Sequence, residues 1–480
     1  MNERLPRRDL MKMLALGSIL GVAAASSAGC GSPVPQPTAS SGRVFYVSPT
    51  GDDAASGLTP YSAWKTITHV NAQLASGVIR VGDSILFECG QTFHGKIRPP
   101  AGAAKHGSKY LTIGSYRSGD NQRRPAISSY KLLNIAAGWT RAEHTVWTID
   151  LSSTMADITH SGYDGAQGGG NNIGFLKIDG VIHGRRMWRL EDLAEQWDFH
   201  CAGNMLSVKS AGNPATLASD IRAACDGDCI SMEHSLRVTG LRLEGGGGHG
   251  IQGSAFNVRV DDNEFAELGG SALGATTRYG NGFEAWIDSA DIVVERNIFH
   301  DIYDVALTAQ GGPASSTGQW SNITFRNNLV YLCNQSVEFW SDGEPGRDRG
   351  FLNCVVECNT CLYAGYGWSS KVRPDQDTKV HLLTYGWVLP ADITIRRNIF
   401  YDAHTAYRIS TSPTPGLDCI ENVIYQRRGR PLQSRGGVVT NSRESQSTYY
   451  AVPDGSKVNV RRALDDVAGT NKVCNPPALN

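Results

Sequence analysis

Val258-Arg259-Val260-Asp261-Asp262-Asn263 is a short alternating segment closed by an asparagine, and the chain repeats the pattern further on. The copies are Ile292-Val293-Val294-Glu295-Arg296-Asn297, Ile323-Thr324-Phe325-Arg326-Asn327-Asn328, Cys354-Val355-Val356-Glu357-Cys358-Asn359 and Ile393-Thr394-Ile395-Arg396-Arg397-Asn398. Their closing asparagines lie 34, 31, 31 and 39 residues apart. A period of this size, made of strands with no helices between them, predicts a parallel solenoid. Asparagine suits the sharp turn after each strand, because it tolerates left-handed backbone and its amide can bond along a ladder.

About ten residues after each asparagine a second strand type is expected. It reads Leu307-Thr308-Ala309-Gln310 and Val337-Glu338-Phe339-Trp340, and, delayed by an insertion at 268–280, Asn281-Gly282-Phe283-Glu284-Ala285-Trp286. Period-two geometry turns Phe283, Ala285, Leu307, Ala309, Val337 and Phe339 to one face. Glu284, Trp286, Thr308, Gln310, Glu338 and Trp340 then share the other. Stacked strands rise about 4.8 Å per coil, which sets Glu284 and Glu338 roughly 9–10 Å apart at the backbone with Thr308 between. Long excursions at 311–320, 341–350 and 369–390 are read as following this strand and walling one side of a groove. The 268–280 insertion approaches from the other side and brings Arg278 and Tyr279.

That groove has the makings of a sugar site. Inverting glycoside hydrolysis needs a carboxylic acid and a carboxylate roughly 6.5–9.5 Å apart, with water between. Glu284 and Glu338 form the expected pair, with Asp304 and Asp342 as rivals. Trp286 and Trp340 offer flat apolar faces for sugar rings, while Arg278, Tyr279, Asn281 and Gln310 would bond hydroxyls. The bland reading of the same residues is an outward charge ladder under packed loops. Asp179-Gly180-Val181-Ile182-His183-Gly184-Arg185-Arg186, in a tryptophan-bearing segment over 131–230, either reaches the substrate or only packs.

Composition narrows the function classes. The 480 residues hold 54 glycines and carry a formal charge of −1, near −3 without the first 29. No basic footprint for nucleic acid is present, and no basic helix for a membrane surface. Arg7-Arg8-Asp9-Leu10-Met11-Lys12 before an apolar run to Ala28 matches a twin-arginine export signal. Ser27-Ala28-Gly29-Cys30 resembles a lipobox whose first position is usually leucine, so Cys30 is either lipidated or near a simple cleavage site. Periplasmic, lipid-anchored and extracellular destinations all follow from such a leader. Eleven cysteines in an exported chain permit disulfides. Cys225/Cys229 and Cys354/Cys358/Cys361 have spacings that also suit zinc, but no histidine lies within ligand spacing.

The domain reading is a leader to 30, a flexible tether at 31–42, and a cap with first coils at 43–130. A β-rich module at 131–230 is inserted before the main solenoid at 231–440, and 441–480 is a C-terminal cap or tail. Phe45-Tyr46-Val47-Ser48-Pro49-Thr50-Gly51-Asp52-Asp53, Ala63-Trp64-Lys65-Thr66-Ile67 and Gly82-Asp83-Ser84-Ile85-Leu86-Phe87 resemble the opening of secreted bacterial right-handed parallel β-helix proteins of the pectin-lyase-like superfamily. The resemblance covers 43–116 by motif and about 231–425 by repeat. It implies an all-β right-handed parallel β-helix with an N-terminal cap, acting on carbohydrate.

Such proteins include polysaccharide lyases, commonly with calcium and an Arg or Lys base. Lys371, Arg373, Arg278 or His381 would serve as that base here, and Asp342, Glu344 and Asp348 fit a calcium site only loosely. Gly248-His249-Gly250 is similar to a polygalacturonase motif whose Asn-Thr-Asp and Arg-Ile-Lys companions are absent. The Asp-Pro-His-Asp motif of alginate epimerases is absent as well. The expectation is a monomeric exported protein that cleaves a poly- or oligosaccharide, as a hydrolase without cofactor. The alternatives are a lyase or epimerase on uronates, or a surface protein that binds glycans without cleaving them.

Overall fold

The computed structural model describes residues 42–101, 107–117, 119, 121–151, 172–274, 276–311, 319–342, 350–387, 391–409, 416–430, 433–434, 447–453 and 456–468. The twin-arginine segment, Cys30, the 31–41 tether, Glu344, Asp348 and the last twelve residues lie outside them.

The chain is a right-handed parallel β-helix. Among the described residues three parallel sheets of ten, ten and eight strands run the length of the solenoid. One coil shows the plan: Ser289–Glu295 in the first sheet, the turn at Asn297, Ile298–Ile302 in the second, a corner at Tyr303-Asp304, then Val305–Gly311 in the third. Each strand pairs with its equivalent one coil away, so Ile292 faces Ile323 and Val294 faces Phe325. These side chains point inward and join Phe283, Ala285, Leu307, Ala309, Val337 and Phe339 in one continuous core. At the N-terminal end the helix Ile67–Ala75, capped by the Thr66 side chain, lays Ile67, Val70 and Leu74 over the first coil.

The repeated asparagines form a buried ladder. In Asn263, Asn297, Asn328, Asn359 and Asn398 the Nδ2 donates to Oδ1 of the next asparagine at 2.9–3.1 Å. The backbone N–H of each donates to that same oxygen. Asn422 accepts at the end of the row, one rung beyond the recognisable repeats. One detail differs from the sequence reading. The left-handed residue is the one before each asparagine, with φ between 55° and 60° at Asp262, Arg296, Asn327, Cys358 and Arg397. The asparagine itself is free to commit its whole amide to the ladder.

Three insertions leave the same corner, between the second and third sheets. The chain from 129 to 229 separates Ala126–Ser128 from Ile230–Ser231 and folds into two four-stranded antiparallel sheets with their own core. Residues 269–282 separate Glu264–Leu268 from Phe283–Ala285. Residues 363–379 separate Thr360–Leu362 from Val380–Trp387.

The last of these corrects the expected excursion at 369–390. Val380–Trp387 is itself a third-sheet strand, so the loop precedes it and emerges beside the 269–282 hairpin, not on the opposite wall. Trp368 ties it down, packing on Phe175 of the module and on Tyr303 of the corner, with Nε1 donating to Asp301 O at 2.9 Å. Within the C-terminal segment, helix Val460–Ala468 sets Ala463 and Val467 against Tyr401 and Tyr425 on the second sheet.

Candidate functional site

Third-sheet register decides which polar side chains meet. Gln252, Glu284, Thr308, Glu338 and Leu383 are successive partners along one row. Their chain neighbours face the core, so the row lies on the outer surface, under the corner insertions. Glu284, Thr308 and Glu338 are only 1%, 0% and 3% exposed. They form a buried row, which the reading as a charge ladder under packed loops also predicts. The adjoining row of Trp286, Gln310 and Trp340 is half-buried, and the two indole rings sit 6.4 Å apart.

Glu284 is held from two sides. Its Oε2 accepts from Asn281 Nδ2 and from Gln310 Nε2, the pattern an acceptor-only carboxylate takes. Asn281 cannot turn away, because its Oδ1 accepts from Val305 N at 3.1 Å and its own N–H donates to His249 Nδ1 at 3.1 Å. His249 Nδ1 also lies 3.5 Å from Glu284 Oε2. Since that nitrogen already accepts a hydrogen bond from Asn281 N–H, it offers Glu284 proximity and no donor.

Glu338 sits in a different field. Burial first, then the neighbouring Asp304, push its carboxyl well above the ordinary range, which favours the protonated form. The Gln335 amide links it to Asp304, donating to Oδ1 at 3.0 Å. Asp304 in turn is ion-paired with Arg373 Nη1 at 2.8 Å, and Arg373 also pairs with Asp375. Asp304 is therefore a counter-ion within the site. Thr308 Oγ1, between the two glutamates, has no hydrogen-bond partner.

The remaining predicted residues divide. Tyr279 rests on the His249 ring at 5.1 Å and its hydroxyl donates to Asp226 Oδ1. Arg278 acts as a strut: Nε, Nη1 and Nη2 donate to the carbonyls of Gly270, Gly184 and Gly174 at 2.6, 2.9 and 2.6 Å. Burial lowers its pKa to about 10. Arg278 and Arg373 both lie over Tyr303, at 4.8 and 5.0 Å from the ring centre. Within the 179–186 segment Arg186 packs, donating to Asn172 and to Ile173 O. Lys371 is exposed in the turn Ser369–Lys371. Asp342 closes the strand Gln335–Asp342, with its side chain outside the described residues.

Arg278→Leu would strand three buried carbonyls at about 1–3 kcal/mol each, so a loss of at least about 3 kcal/mol is expected. Urea titration checks the stability, and limited proteolysis should show earlier cutting within 172–229.

Sequence reasoning missed Asp228, His249 and Gln335 as site members. His249 had a signal, since Gly248-His249-Gly250 lies at the corner where glycines let backbones approach closely. Asp228 had none: it belongs to the returning end of the inserted module, whose path only the fold shows. Among the described residues no cluster of three His, Cys, Asp or Glu side chains is placed to hold a metal. Cys225, Cys229, Cys354 and Cys361 are buried free thiols and Cys358 is disulfide-bonded.

No family model matches the chain. A segment of 93 residues is 37% identical to lacto-N-biosidase of Bifidobacterium longum subsp. longum, covering 19% of this chain and 6% of that protein. The chain thus spans only a small part of that curated relative. Among solved structures, the complex of XylC with xylose superposes with a TM-score of 0.50 at 12% identity, over 85% of this chain and 68% of the other. The lacto-N-biosidase of Eubacterium ramulus gives a TM-score of 0.37 at 13% identity over the same shares. The first of these likenesses supports the β-helix fold.

Proposed function

We propose that this protein is a glycoside hydrolase that cleaves a poly- or oligosaccharide with Glu284 as base and Glu338 as acid. The observation that carries this is the register of the third sheet. It puts two carboxyls two strands apart, over a buried hydroxyl at Thr308. At about 4.8 Å per strand the backbones are roughly 9–10 Å apart. A spacing of that order suits inversion, in which Glu284 would deprotonate water and Glu338 protonate the leaving oxygen. The half-buried Trp286 and Trp340 supply apolar faces for the sugar. The short match to a lacto-N-biosidase agrees with a glycan substrate. Export by the twin-arginine leader, anchored at Cys30 or released, brings the monomer to that glycan outside the cytoplasm.

The lyase alternative is weaker on the same geometry. A lyase needs a base able to take the C5 proton. Arg278 is tied to three carbonyls and Arg373 to Asp304 and Asp375, His381 packs inside the coil against Phe400, and Lys371 stands in an exposed turn. Incubation with neutral and uronic glycans distinguishes the readings. Hydrolysis yields new reducing ends without the ultraviolet absorption of an unsaturated uronate, and appearance of that absorption sinks the proposal.

A pH dependence follows. The acid must be protonated, so activity should persist above the usual carboxylate range and fall as pH rises through the raised value of Glu338. The kcat/KM profile of the parent should show this alkaline limb.

A further inference from the structure

Asp226-Gly227-Asp228 is the turn on which the inserted module re-enters the solenoid, directly before the third-sheet strand Ile230–Ser231. The turn is clamped on every side. Asp226 N donates to Asn172 O at 2.9 Å and Gly227 N to Asp226 Oδ1 at 2.9 Å. Lys96 Nζ donates to Asp226 O, and Cys229 N to His249 O at 3.0 Å. Gly227 has φ 96°, a left-handed conformation in which a side chain would be strained. Asp228 directly precedes Cys229, whose N–H donates to His249 O, and His249 Nδ1 lies 3.5 Å from Glu284 Oε2, so the turn ends one strand from the site.

Its own situation is unusual. Asp228 is partly exposed, and no described residue gives it a hydrogen bond or an ion pair. The groups whose charge it feels are His249, Glu284, Lys96 and Asp226. Of these only Lys96 is a lysine or arginine; burial lowers its pKa, and it is committed to the Asp226 carbonyl. The other cation acting on the site carboxyls is Arg373, buried and shared between Asp304 and Asp375. The described cations around Asp228, Glu284, Asp304 and Glu338 are thus already engaged. A hexuronate entering beside them would meet several carboxyls and find none of these cations to neutralise it. A neutral sugar would instead offer hydroxyl protons to an acceptor-only carboxylate.

We propose that Asp228, carried in by the inserted module, is a specificity-determining residue that accepts hydrogen bonds from a neutral sugar next to the bond cut at Glu284. The inference rests on the hydrolase reading above and names its substrate class. It also gives the module a chemical role, since Asp228 completes the floor of the third sheet with a side chain that the coil repeat does not supply. Burial raises the Asp228 pKa to about 6, with Glu284 adding to the rise and His249 opposing it. The ionised, accepting form is therefore gained as pH rises through about 6, which adds an acidic limb to kcat/KM.

The test uses the full mature chain, its Asp228→Asn and Asp228→Ala variants, and matched neutral and uronate-containing oligosaccharides. For the parent, the neutral series is expected to be cleaved and the uronate series to be poor. In both variants KM for the neutral substrate should rise roughly 10- to 100-fold, the loss of a charge-assisted bond, with kcat changing less. The acidic limb near pH 6 should flatten in both. Parent-like KM and pH profile in folded Asp228→Asn, or a parent that prefers uronates, overturns the proposal. If the parent cleaves no glycan, the hydrolase reading fails by itself. Calorimetric titration of the same sugars then still decides Asp228, since loss of neutral-sugar affinity in Asp228→Asn supports it and unchanged affinity refutes it.

Discussion

Glu284→Gln and Glu338→Gln should each lower kcat/KM on a natural glycan by roughly 10²- to 10⁴-fold, the usual range for a lost general acid or base. The two variants are expected to differ in kind. Glutamine at 338 cannot protonate a leaving oxygen, but an aryl glycoside with an acidic phenol does not need that proton. Activity on the aryl substrate should therefore recover in Glu338→Gln and stay low in Glu284→Gln, where water is not activated. Glu338→Gln should also lose the alkaline limb of the parent profile. Full turnover in both variants, on a substrate the parent cleaves, would remove these residues from the chemistry.

Glu338 makes a second forecast through stability. Its pKa is raised in the fold, so between the ordinary carboxylate range and the raised value the folded chain binds more protons than the unfolded chain. Stability then falls as pH rises through that window. A neutral glutamine does not ionise there. Thermal melts at acidic and at neutral pH should show the gain in Tm of Glu338→Gln over the parent growing with pH. A catalytic carboxyl kept under strain by its neighbours behaves in this way, and a merely structural one has less reason to.

The second large effect belongs to the ladder. Asn328→Leu removes an amide that donates to Val294 O at 3.0 Å and to Asn359 Oδ1 at 2.9 Å, and accepts from the backbone and side chain of Asn297. Leucine is near the right size but leaves several buried polar groups unpaired in the middle of the solenoid. At about 1–3 kcal/mol for each, with the ladder polarising its neighbours, a loss of about 4 kcal/mol or more is expected. Urea titration of the purified variant measures it. A change under about 1 kcal/mol would mean that the ladder is replaceable by apolar packing.

The repeat segments by themselves determined the solenoid. Alternation fixed which side chains face inward, and the spacing of the asparagines fixed the coil length. Together these aligned Glu284, Thr308 and Glu338, because period-two strands in parallel register leave no other choice. Trp286, Gln310 and Trp340 were placed by the same rule.

What the repeat could not carry was anything outside it. Whether an excursion falls before or after a third-sheet strand depends on where that strand starts. Val380–Trp387 hid among the polar residues of 369–390, and with it the true position of Arg373. Arg278 was legible as a cation in the right place, yet three carbonyls from two separate insertions claim it, and those approach only in the folded chain. Burial of the two glutamates, the pairing of Asp304 and the arrival of Asp228 all come from the corner between the second and third sheets. Distances there are set by packing between segments a hundred residues apart, and local sequence preference has no hold on those.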